Sequence, residues 1–367
     1  MKILYFAPIP YDDIKQRPQH IAEELSKSNE IWYIEPTISG IRCFIKCDSN
    51  FSSKKYDINS NLHILRLNGF FSLHPKLYRF DPYCISDQIE YIQLRKLVVD
   101  ADIIWIGYEL WYRLLFRKHK KKILVFDKMD DNIQLEKNFF IKEQLKIWNK
   151  QLERDADIIF VTAKKFYDEL EKKREDVYLL PNGVEAKWKN IKYSPETKKR
   201  MVIGYVGMIS HWFDVDAVTK LAKARSDVDI LLVGPNYMPE IKLKNVRYIG
   251  EIPKYEVPKW IERFDICLYP FKKNALLDTI DPVKIYEYLM FNKPILAIDS
   301  IEIRKYGNRI YRYKTVDELV SYSKKNLKTP FKTTQEKLEF FEDNTWMKRK
   351  ESIEKILNER RKIENKK

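Results

Sequence analysis

The chain of 367 residues contains few of the side chains that bind structural metals or cross-link a fold. It has five histidines and four cysteines, of which Cys43 and Cys47 form a C-x3-C pair. No nearby His or Cys pair completes a zinc site. A disulfide framework is implausible at this length and cysteine content, so we expect reduced thiols in a cytosolic protein.

Long apolar segments are also missing. No window holds the ~18 consecutive apolar residues that a membrane-spanning helix needs. The N-terminal stretch MKILYFAPIPYDD is not expected to be a signal peptide, because its apolar part is short, contains two prolines and runs into Asp12 and Asp13. We expect a cytoplasmic protein whose membrane contact, if present, is peripheral on the inner face of the plasma membrane.

Glycine is scarce, with nine residues, and no G-x-G-x-x-G fingerprint occurs. NAD binding is therefore not supported. The chain also has no short-period internal repeat and no low-complexity segment.

Apolar residues are plentiful, and their pattern indicates an α/β protein. Hydrophobic residues make up 44% of the chain, and at ~150 residues per domain the length suggests two domains. Short apolar runs alternate with amphipathic ones, which is typical of parallel sheets covered on both faces. The predicted strands are 3–7, 31–34, 62–67, 103–106, 123–126, 158–161, 177–180, 202–206, 230–233, 246–249, 266–269, 295–297 and 310–313. The predicted helices are 18–28, 85–99, 141–154, 164–173, 215–223, 257–263, 283–291 and 316–325, with 334–365 helical throughout.

The alternation breaks once, at the turn signal Pro181-Asn182-Gly183 and the polar stretch that follows it. We therefore predict a first α/β domain over 1–195 and a second over 196–330. The remaining residues, 331–367, are predicted to form C-terminal helices that pack on the second domain or return to the first.

Positive charge is in excess. Lys plus Arg is 68 and Asp plus Glu is 53, a net charge of +15. This balance favours an anionic partner, which could be nucleic acid, a membrane surface or a substrate. A Lys-rich surface without such a role is an equal alternative, because the basic residues are spread out and form only two clear clusters, at 118–122 and 360–367.

Ligands bind beyond the carboxyl ends of strands in doubly wound sheets, so the residues after each strand are the candidates for function. Arg17, Pro18, Gln19 and His20 follow the first strand at a predicted helix start, which would suit an anion or a sugar. The alternative is ordinary helix-start chemistry.

Three acids, Asp127, Asp130 and Asp131, follow a strand within five residues. Clustered carboxylates can raise one pKa and so produce a general base. The alternative is a solvated loop or a helix cap.

The second domain presents two candidate segments. Gly207 follows its first strand in a loop that includes Ser210, where a glycine lets the backbone approach a phosphate. Further on, Asp281 can cap a helix that Pro282 starts. The free N–H groups of Val283 and Lys284 would then face a diphosphate, with Lys284 adding charge and Glu287 on the same face able to accept two ribose hydroxyls. The alternative is a surface Lys–Glu pair.

The segment P-V-K-I-Y-E-Y-L-M-F-N-K-P-I-L-A, over 282–297, resembles the donor-binding helix of GT-B glycosyltransferases of the GT4-like group that build teichuronic acid, capsule and other bacterial envelope polysaccharides. Four further segments resemble the same group in the same order along the chain. They are Arg17–His20, Asp127–Asp131, Leu180–Val184 and Asn344–Trp346.

The resemblance implies a GT-B fold, with two Rossmann-like domains facing a cleft and a C-terminal helix that crosses back to the N-terminal domain. It implies a nucleotide-diphosphate sugar donor, usually a UDP-sugar, held by the C-terminal domain, and no metal or other cofactor. The acceptor, a glycan or a lipid-linked molecule, would dock on the N-terminal domain. Donor contacts are expected from Gly207, Ser210, Ile252, Asp281, Pro282, Val283, Lys284 and Glu287. Acceptor contacts are expected from Arg17, Gln19, His20 and Asp127.

One departure affects the predicted mechanism. The E-x7-E pair common in this group has Glu287 at its second position but Thr279 at its first. Asp278 or Asp281 could substitute for the missing carboxylate of a retaining reaction. An inverting reaction with Asp130 or Asp131 as catalytic base is the alternative. Other functions to weigh are a sugar-nucleotide epimerase on the same architecture and a non-enzymatic basic protein. Nucleic acid is not an expected partner, because basic and aromatic residues are not concentrated on one element and the sequence contains no known nucleic-acid-binding module. The stretch Phe70–Arg79 could rest on an anionic membrane or be a packed loop.

Overall fold

The computed structural model describes residues 1–39, 54–69, 85–119, 121–190 and 199–364. Several sequence predictions lie outside these ranges, namely the C-x3-C pair Cys43 and Cys47, the membrane candidate Phe70–Arg79 and the polar stretch around Tyr193–Pro195. Among the described residues, no helix has both the length and the apolar character needed to cross a bilayer.

The chain forms two compact units, and the first is discontinuous in sequence. One unit comprises Met1–Pro181 together with Lys350–Lys367, and the other comprises Asn182–Arg349. The sequence predicted the first division later in the chain, at 195/196, and the second division earlier, at 330/331. The first division falls at 181/182 because the carbonyls of Leu180 and Pro181 accept hydrogen bonds from Arg17 of the first unit. The main-chain N–H of Asn182 instead donates to Asp281 of the second unit.

The first unit is built on an eight-stranded sheet in the order β3-β4-β2-β1-β5-β6-β7-β8. All neighbouring strands are parallel except β3, which pairs antiparallel to β4. Its strands are β1 (Lys2–Phe6), β2 (Glu30–Ser39), β3 (Lys54–Asn59), β4 (Leu62–Gly69), β5 (Ile103–Ile106), β6 (Ile123–Lys128), β7 (Ile158–Val161) and β8 (Val177–Leu179). Its helices are α1 (Arg17–Ser26), α2 (Ile85–Asp100), α3 (Trp111–Leu115), α4 (Asn132–Leu135), α5 (Phe139–Asp155) and α6 (Lys164–Leu170).

The second unit is built on a six-stranded, all-parallel sheet in the order β11-β10-β9-β12-β13-β14. Its strands are β9 (Val202–Val206), β10 (Asp229–Val233), β11 (Val246–Gly250), β12 (Ile266–Tyr269), β13 (Ile295–Ile298) and β14 (Tyr311–Tyr313). Its helices are α7 (Val215–Ala224), α8 (Val257–Glu262), α9 (Val283–Met290), α10 (Ile301–Arg304), α11 (Val316–Ser323) and α12 (Thr334–Asp343). The strand order is that of a dinucleotide-type Rossmann sheet.

The last helix, α13 (Trp346–Glu364), begins in the second unit and continues into the first. Its carboxylate Glu354 accepts a hydrogen bond of 3.0 Å from Asn29 Nδ2, and Arg360 donates to Asp157 at 2.5 Å. Ile353 and Leu357, at helical spacing, are fully buried. The prediction that a C-terminal helix returns to the N-terminal part of the chain is confirmed.

The α/β class and the two Rossmann-like sheets are confirmed, and the differences concern short or polar elements. The sequence did not predict β3, α3, α4 or α10. The predicted helical region 334–365 forms two helices, α12 and α13, and the last one begins at Trp346 after a Thr345 cap, as its sequence predicts. The break falls at Asn344 and Thr345, because the Thr345 hydroxyl accepts from the N–H of Lys348 and so caps a new helix.

A buried glutamate beneath β2 makes the stability of the first unit dependent on pH. Glu90 accepts a hydrogen bond of 3.2 Å from the Thr37 hydroxyl, and its Oε1 has no partner among the described residues. Burial, and then the nearby charge of Asp87, raises the pKa of Glu90 from 4.5 to about 8. The folded protein therefore holds a proton at neutral pH that the unfolded chain releases.

We expect the free energy of unfolding to fall by about 2–4 kcal/mol as the pH rises from 4.5 to about 8, because the folded-state pKa of Glu90 lies above the unfolded one. Glu90→Gln, which is neutral at every pH, should remove most of this slope. Denaturant unfolding at pH 5 and pH 8 measures it in both proteins. Equal slopes in the two proteins would contradict the assignment.

Candidate functional site

The carboxyl ends of β9 and β12 form the switch point of the second unit. Strands β10 and β11 follow β9 toward one edge of the sheet, and β13 and β14 follow β12 toward the other edge. Ligands of doubly wound sheets bind beyond the carboxyl ends of the strands at such a point. Gly207 directly follows β9, and the segment after β12 leads into α9. Topology therefore brings two sequence-predicted donor segments to one place within this unit.

Gly207 and Lys284 lie in direct contact there. A Cβ added to Gly207 would overlap Lys284 Cε and lie 2.6 Å from its Nζ, and the Gly207 backbone has a φ of +143° that side chains rarely permit. The Gly207 N–H donates to the carbonyl of Val233 at 2.8 Å. Its contribution is therefore the missing side chain, which leaves room for the lysine, and not a free amide.

Two further glycines line the same sheet edge, and sequence reasoning missed one of them entirely. Gly234 follows β10 with a φ of +132°, and its Cβ would overlap the Gly207 carbonyl oxygen. Its N–H donates to the carbonyl of Gly250, at the end of β11, at 2.8 Å. Three neighbouring strands thus end in glycines with positive φ, so the strand ends themselves contribute no side chain and leave room for Lys284.

The start of α9 presents unpaired backbone donors. Pro282 is the N-cap residue, with Val283 first in the helix. Among the described residues, no group accepts from the N–H of Val283 or Lys284. Such a helix start favours an anion, through both the free N–H groups and the helix dipole.

The prediction that Asp281 caps α9 is wrong. Its carboxylate is buried and instead accepts from the Asn182 N–H at 2.5 Å, from the Tyr286 hydroxyl and from Lys305. These partners hold the loop before α9 against the start of the second unit. The physical reason is burial: a carboxylate removed from solvent needs several donors at once, and these three groups supply them.

Lys284 and Glu287 lie one turn apart on α9, as predicted. Burial lowers the pKa of Lys284, which Glu287 opposes and Lys254 reinforces. The buried Glu287 carboxylate is ion-paired with Lys254, a residue that sequence reasoning did not single out. An anionic ligand beside Lys284 would offset the cost of its burial.

The remaining predicted donor residues lie around this edge. Ser210 is half-buried, with its hydroxyl 3.4 Å from His211 Nδ1, and Ile252 packs against the core of the second unit. Thr279, at the position of the absent glutamate, is fully buried and donates to the Leu276 carbonyl at 2.7 Å. Asp278 accepts from the N–H of Ile301 at 2.9 Å.

In the first unit, Arg17 and Asp127 form a buried ion pair. Arg17 Nη2 lies 2.8 Å from Asp127 Oδ1, and both side chains are almost inaccessible to solvent. Arg17 Nη1 also donates to the Leu180 carbonyl at 2.9 Å. Strand β6 was predicted to end at residue 126 but extends to Lys128, so Asp127 lies within the strand and the alternative of a solvated loop does not hold for it. The pair ties α1, β6 and the end of β8 together.

The other predicted residues of the first unit are also engaged. Gln19 accepts from the Gln16 N–H at 3.0 Å and donates to the Pro10 carbonyl, while His20 is buried. Asp131 is half-buried and caps α4 by accepting from the Gln134 N–H at 3.0 Å, and Asp130 is half-buried beside it. Acceptor binding by Arg17, Gln19, His20 and Asp127 stays a prediction.

A buried carboxyl next to these aspartates was missed by sequence reasoning. Glu109 lies just beyond β5, and its Oε2 accepts from Asn132 Nδ2 at 2.8 Å. Burial raises the pKa of Glu109, although Lys128 and the Asn132 hydrogen bond oppose the shift. The only sequence signal was an isolated glutamate three residues after a strand, which topology places beside Asp131. Within the described ranges, no three His, Cys, Asp or Glu side chains are grouped to hold a metal ion.

Comparison with characterised sequences finds a partial relative. The chain is 25% identical over 201 residues to the putative teichuronic acid biosynthesis glycosyltransferase TuaH of Bacillus subtilis (strain 168). The match spans 50% of this chain and 51% of that protein, so it covers about half of each. No protein-family model matches the chain.

Comparison with solved structures covers nearly all of the chain. Sucrose-phosphate synthase from Thermosynechococcus elongatus superposes with a TM-score of 0.71 at 12% identity, over 98% of both chains. The fold is GT-B. Anabaena Alr3699/HepE, solved in complex with UDP-glucose, gives 0.69 at 12% identity, over 98% of this chain and all of that one. An E. coli trehalose-6-phosphate structure, described as bound with UDP-2-fluoro glucose, gives 0.67 at 11% identity, over 97% and 99%.

Proposed function

We propose that this chain is a glycosyltransferase, a hexosyltransferase that moves a sugar from a nucleotide-diphosphate donor to a glycan or lipid-linked acceptor. The observation that carries the proposal is the contact of Lys284 with Gly207 at the switch point of the second unit, with Glu287 one turn further along α9. This geometry offers one cation and two free N–H groups to a diphosphate, and one carboxylate to a ribose.

The comparisons support a UDP-sugar as the donor. Two proteins that share the fold were solved with UDP-glucose or a fluorinated analogue of it. We propose that the diphosphate binds at the start of α9, at Pro282, Val283 and Lys284. Glu287 would hold the ribose, while Gly207, Ser210, Ile252 and the main chain of Asp281 would complete the site.

The leaving diphosphate needs compensation for its developing negative charge. Lys284 and the N-terminus of α9 supply this without a metal ion, because both are held in place before the reaction begins. The lowered pKa of Lys284 does not prevent this role, since an adjacent diphosphate favours the charged ammonium.

We propose Asp130 or Asp131 as the base that takes the proton of the acceptor hydroxyl in an inverting reaction. Asp131 caps a helix of only four residues and is half-buried. Asparagine caps helices as well as aspartate does, so Asp131→Asn removes the base without removing the cap. Loss of transfer in this variant, with donor binding and stability kept, would support the role. Full activity in both Asp130→Asn and Asp131→Asn would exclude it.

The acceptor is proposed from the resemblance and from charge. TuaH is described as acting in teichuronic acid biosynthesis, which is consistent with cell-surface polysaccharide synthesis for this chain. A net charge of +15 would favour peripheral contact with an anionic membrane, where a lipid-linked acceptor resides. Co-sedimentation with phosphatidylglycerol vesicles at low and high salt tests this contact.

The donor site is tested by thermal shift against UDP, GDP, ADP, CMP and a panel of UDP-sugars. A ligand at about 100 times its dissociation constant should add about 2.7 kcal/mol of stability to the wild type. Glu287→Ala should bind about 10- to 100-fold more weakly, because two hydrogen bonds to a charged acceptor are lost. Glu240→Ala removes an exposed glutamate of the same unit and should bind like the wild type.

The outcomes separate the candidate functions. Selective stabilisation by one nucleotide, lost in Glu287→Ala, would support the donor site and identify the base. Conversion of the free sugar nucleotide without growth of a glycan would indicate an epimerase instead. If no nucleotide stabilises the wild type, the proposed glycosyltransferase function is wrong.

A further inference from the structure

Lys254 is ion-paired with Glu287, the carboxylate proposed to bind the ribose of the donor. It lies in a short 3-10 helix, Lys254–Glu256, four residues beyond the end of β11. Its ammonium is ion-paired with Glu287 Oε1, and its Nζ also lies 5.2 Å from the centroid of the Trp188 ring. Trp188 is buried and packs against Phe291, so the lysine is held from two sides.

The ion pair is partly open to solvent on the lysine side only. The Lys254 side chain is 30% exposed, whereas that of Glu287 is 6% exposed. The buried Glu287 side chain is therefore held in place on α9, whereas the more exposed Lys254 side chain can move into solvent. A ligand that hydrogen-bonds to Glu287 must take over from this ammonium.

We propose that Lys254 is an internal competitor of the donor, which neutralises Glu287 in the free protein and is displaced when the ribose hydroxyls bind. The inference rests on the proposed function, because it takes Glu287 as the ribose acceptor. The Lys254–Glu287 ion pair keeps a buried carboxylate paired while the site is empty, where an unpaired charge would be costly. It also weakens nucleotide binding, because only the fraction of molecules with a free Glu287 can accept the ribose.

Two lysines affect the ligand in different ways under this proposal. Lys284 contacts Gly207 at the sheet edge and would meet the diphosphate, whereas Lys254 pairs with the ribose-binding carboxylate. Removing the charge of Lys284 should therefore weaken binding of the diphosphate. Removing the charge of Lys254 should strengthen binding of the nucleoside, which has no phosphate for either lysine to attract.

The experiment compares uridine and UDP as probes, by isothermal titration or ligand-observed NMR, in wild type, Lys254→Met, Lys254→Arg and Lys259→Met. Lys254→Met should bind uridine about 3- to 10-fold more tightly than the wild type, because the competing ion pair is gone. UDP should gain less, since the lost charge also attracted its phosphates. Lys254→Arg keeps the pair, and Lys259→Met removes an exposed lysine of the adjacent helix α8, so both should match the wild type. If the nucleotide panel selects another base, its nucleoside and diphosphate replace uridine and UDP.

The results separate this inference from the proposed function. Unchanged or weaker nucleoside binding by Lys254→Met, in a protein whose wild type binds the diphosphate, would overturn the competitor role and leave the donor site intact. Binding of neither probe by any variant would overturn both. Thermal unfolding of each variant shows whether it is folded. Lys254→Arg keeps the charge but changes the contact with Trp188, so an effect seen in Lys254→Met and not in Lys254→Arg comes from loss of charge.

Discussion

Asp127→Asn should lower the free energy of unfolding of the first unit by about 3–5 kcal/mol, because it leaves the Arg17 charge buried without its partner. The two side chains are 4% and 0% exposed, and Arg17 Nε lies 3.2 Å from both carboxylate oxygens. Water cannot replace the lost charge at such a depth. Urea unfolding, followed by tryptophan fluorescence and circular dichroism, measures the change.

A double variant and an exposed pair serve as controls for this prediction. Arg17→Met combined with Asp127→Leu removes both charges and should recover part of the loss, since apolar replacement of a buried pair is often tolerated. Recovery should be incomplete, because the Leu180 carbonyl loses its donor as well. Lys146→Met breaks an exposed pair with Glu143 and should change stability by about 0.5 kcal/mol or less. A loss below about 1 kcal/mol in Asp127→Asn would show that the pair is not structural.

Gly207→Ala should reduce affinity for the donor diphosphate about 100-fold while the second unit stays folded. The added methyl group would overlap Lys284 Cε, and alanine is strained at a φ of +143°. The lysine would have to leave the sheet edge, which removes a charge-assisted contact worth about 1.5–3 kcal/mol. Titration with UDP measures the affinity, and thermal unfolding establishes that the variant is folded.

Gly250→Ala is the matched control for this prediction. It also places alanine at a positive φ, of +83°, but no atom lies within 4 Å of the new Cβ. It should therefore be strained without moving Lys284, and its affinity should stay close to that of the wild type. Lys284→Met should reproduce the loss seen in Gly207→Ala. If Gly207→Ala binds UDP normally, Lys284 does not contact the diphosphate from its present position.

Sequence reasoning predicted the buried parallel strands well, because each is a continuous apolar run between turn residues. The bounds of β5, β7, β9 and β12 agree residue for residue with the structure. Strand β3, with the sequence KKYDIN, was missed because it is an antiparallel neighbour of β4 whose side chains are mostly exposed. The helices α3, α4 and α10 have four or five residues, too few for a helical period to show.

The donor helix was predictable because its residues lie within one segment. Lys284 and Glu287 are three positions apart, so helical spacing alone places them on one face. Lys254 lies 33 residues before Glu287, and Gly234 lies 50 residues before Lys284. Both were missed because only the sheet topology brings them to the same edge. Asp281 was misassigned as a cap because its partners, Asn182 and Lys305, are also distant in sequence.

The discontinuity of the first unit has a consequence for the order in which the protein can be made. Residues 350–364 of α13 are synthesised after the whole of the second unit, yet Ile353 and Leu357 are buried within the first. While the chain is still emerging from the ribosome, the surface that they cover is exposed, and the first unit is incomplete even though its eight strands are all present. A fragment 1–181 should therefore be poorly soluble by itself, and adding a peptide of residues 350–364 in trans should restore it.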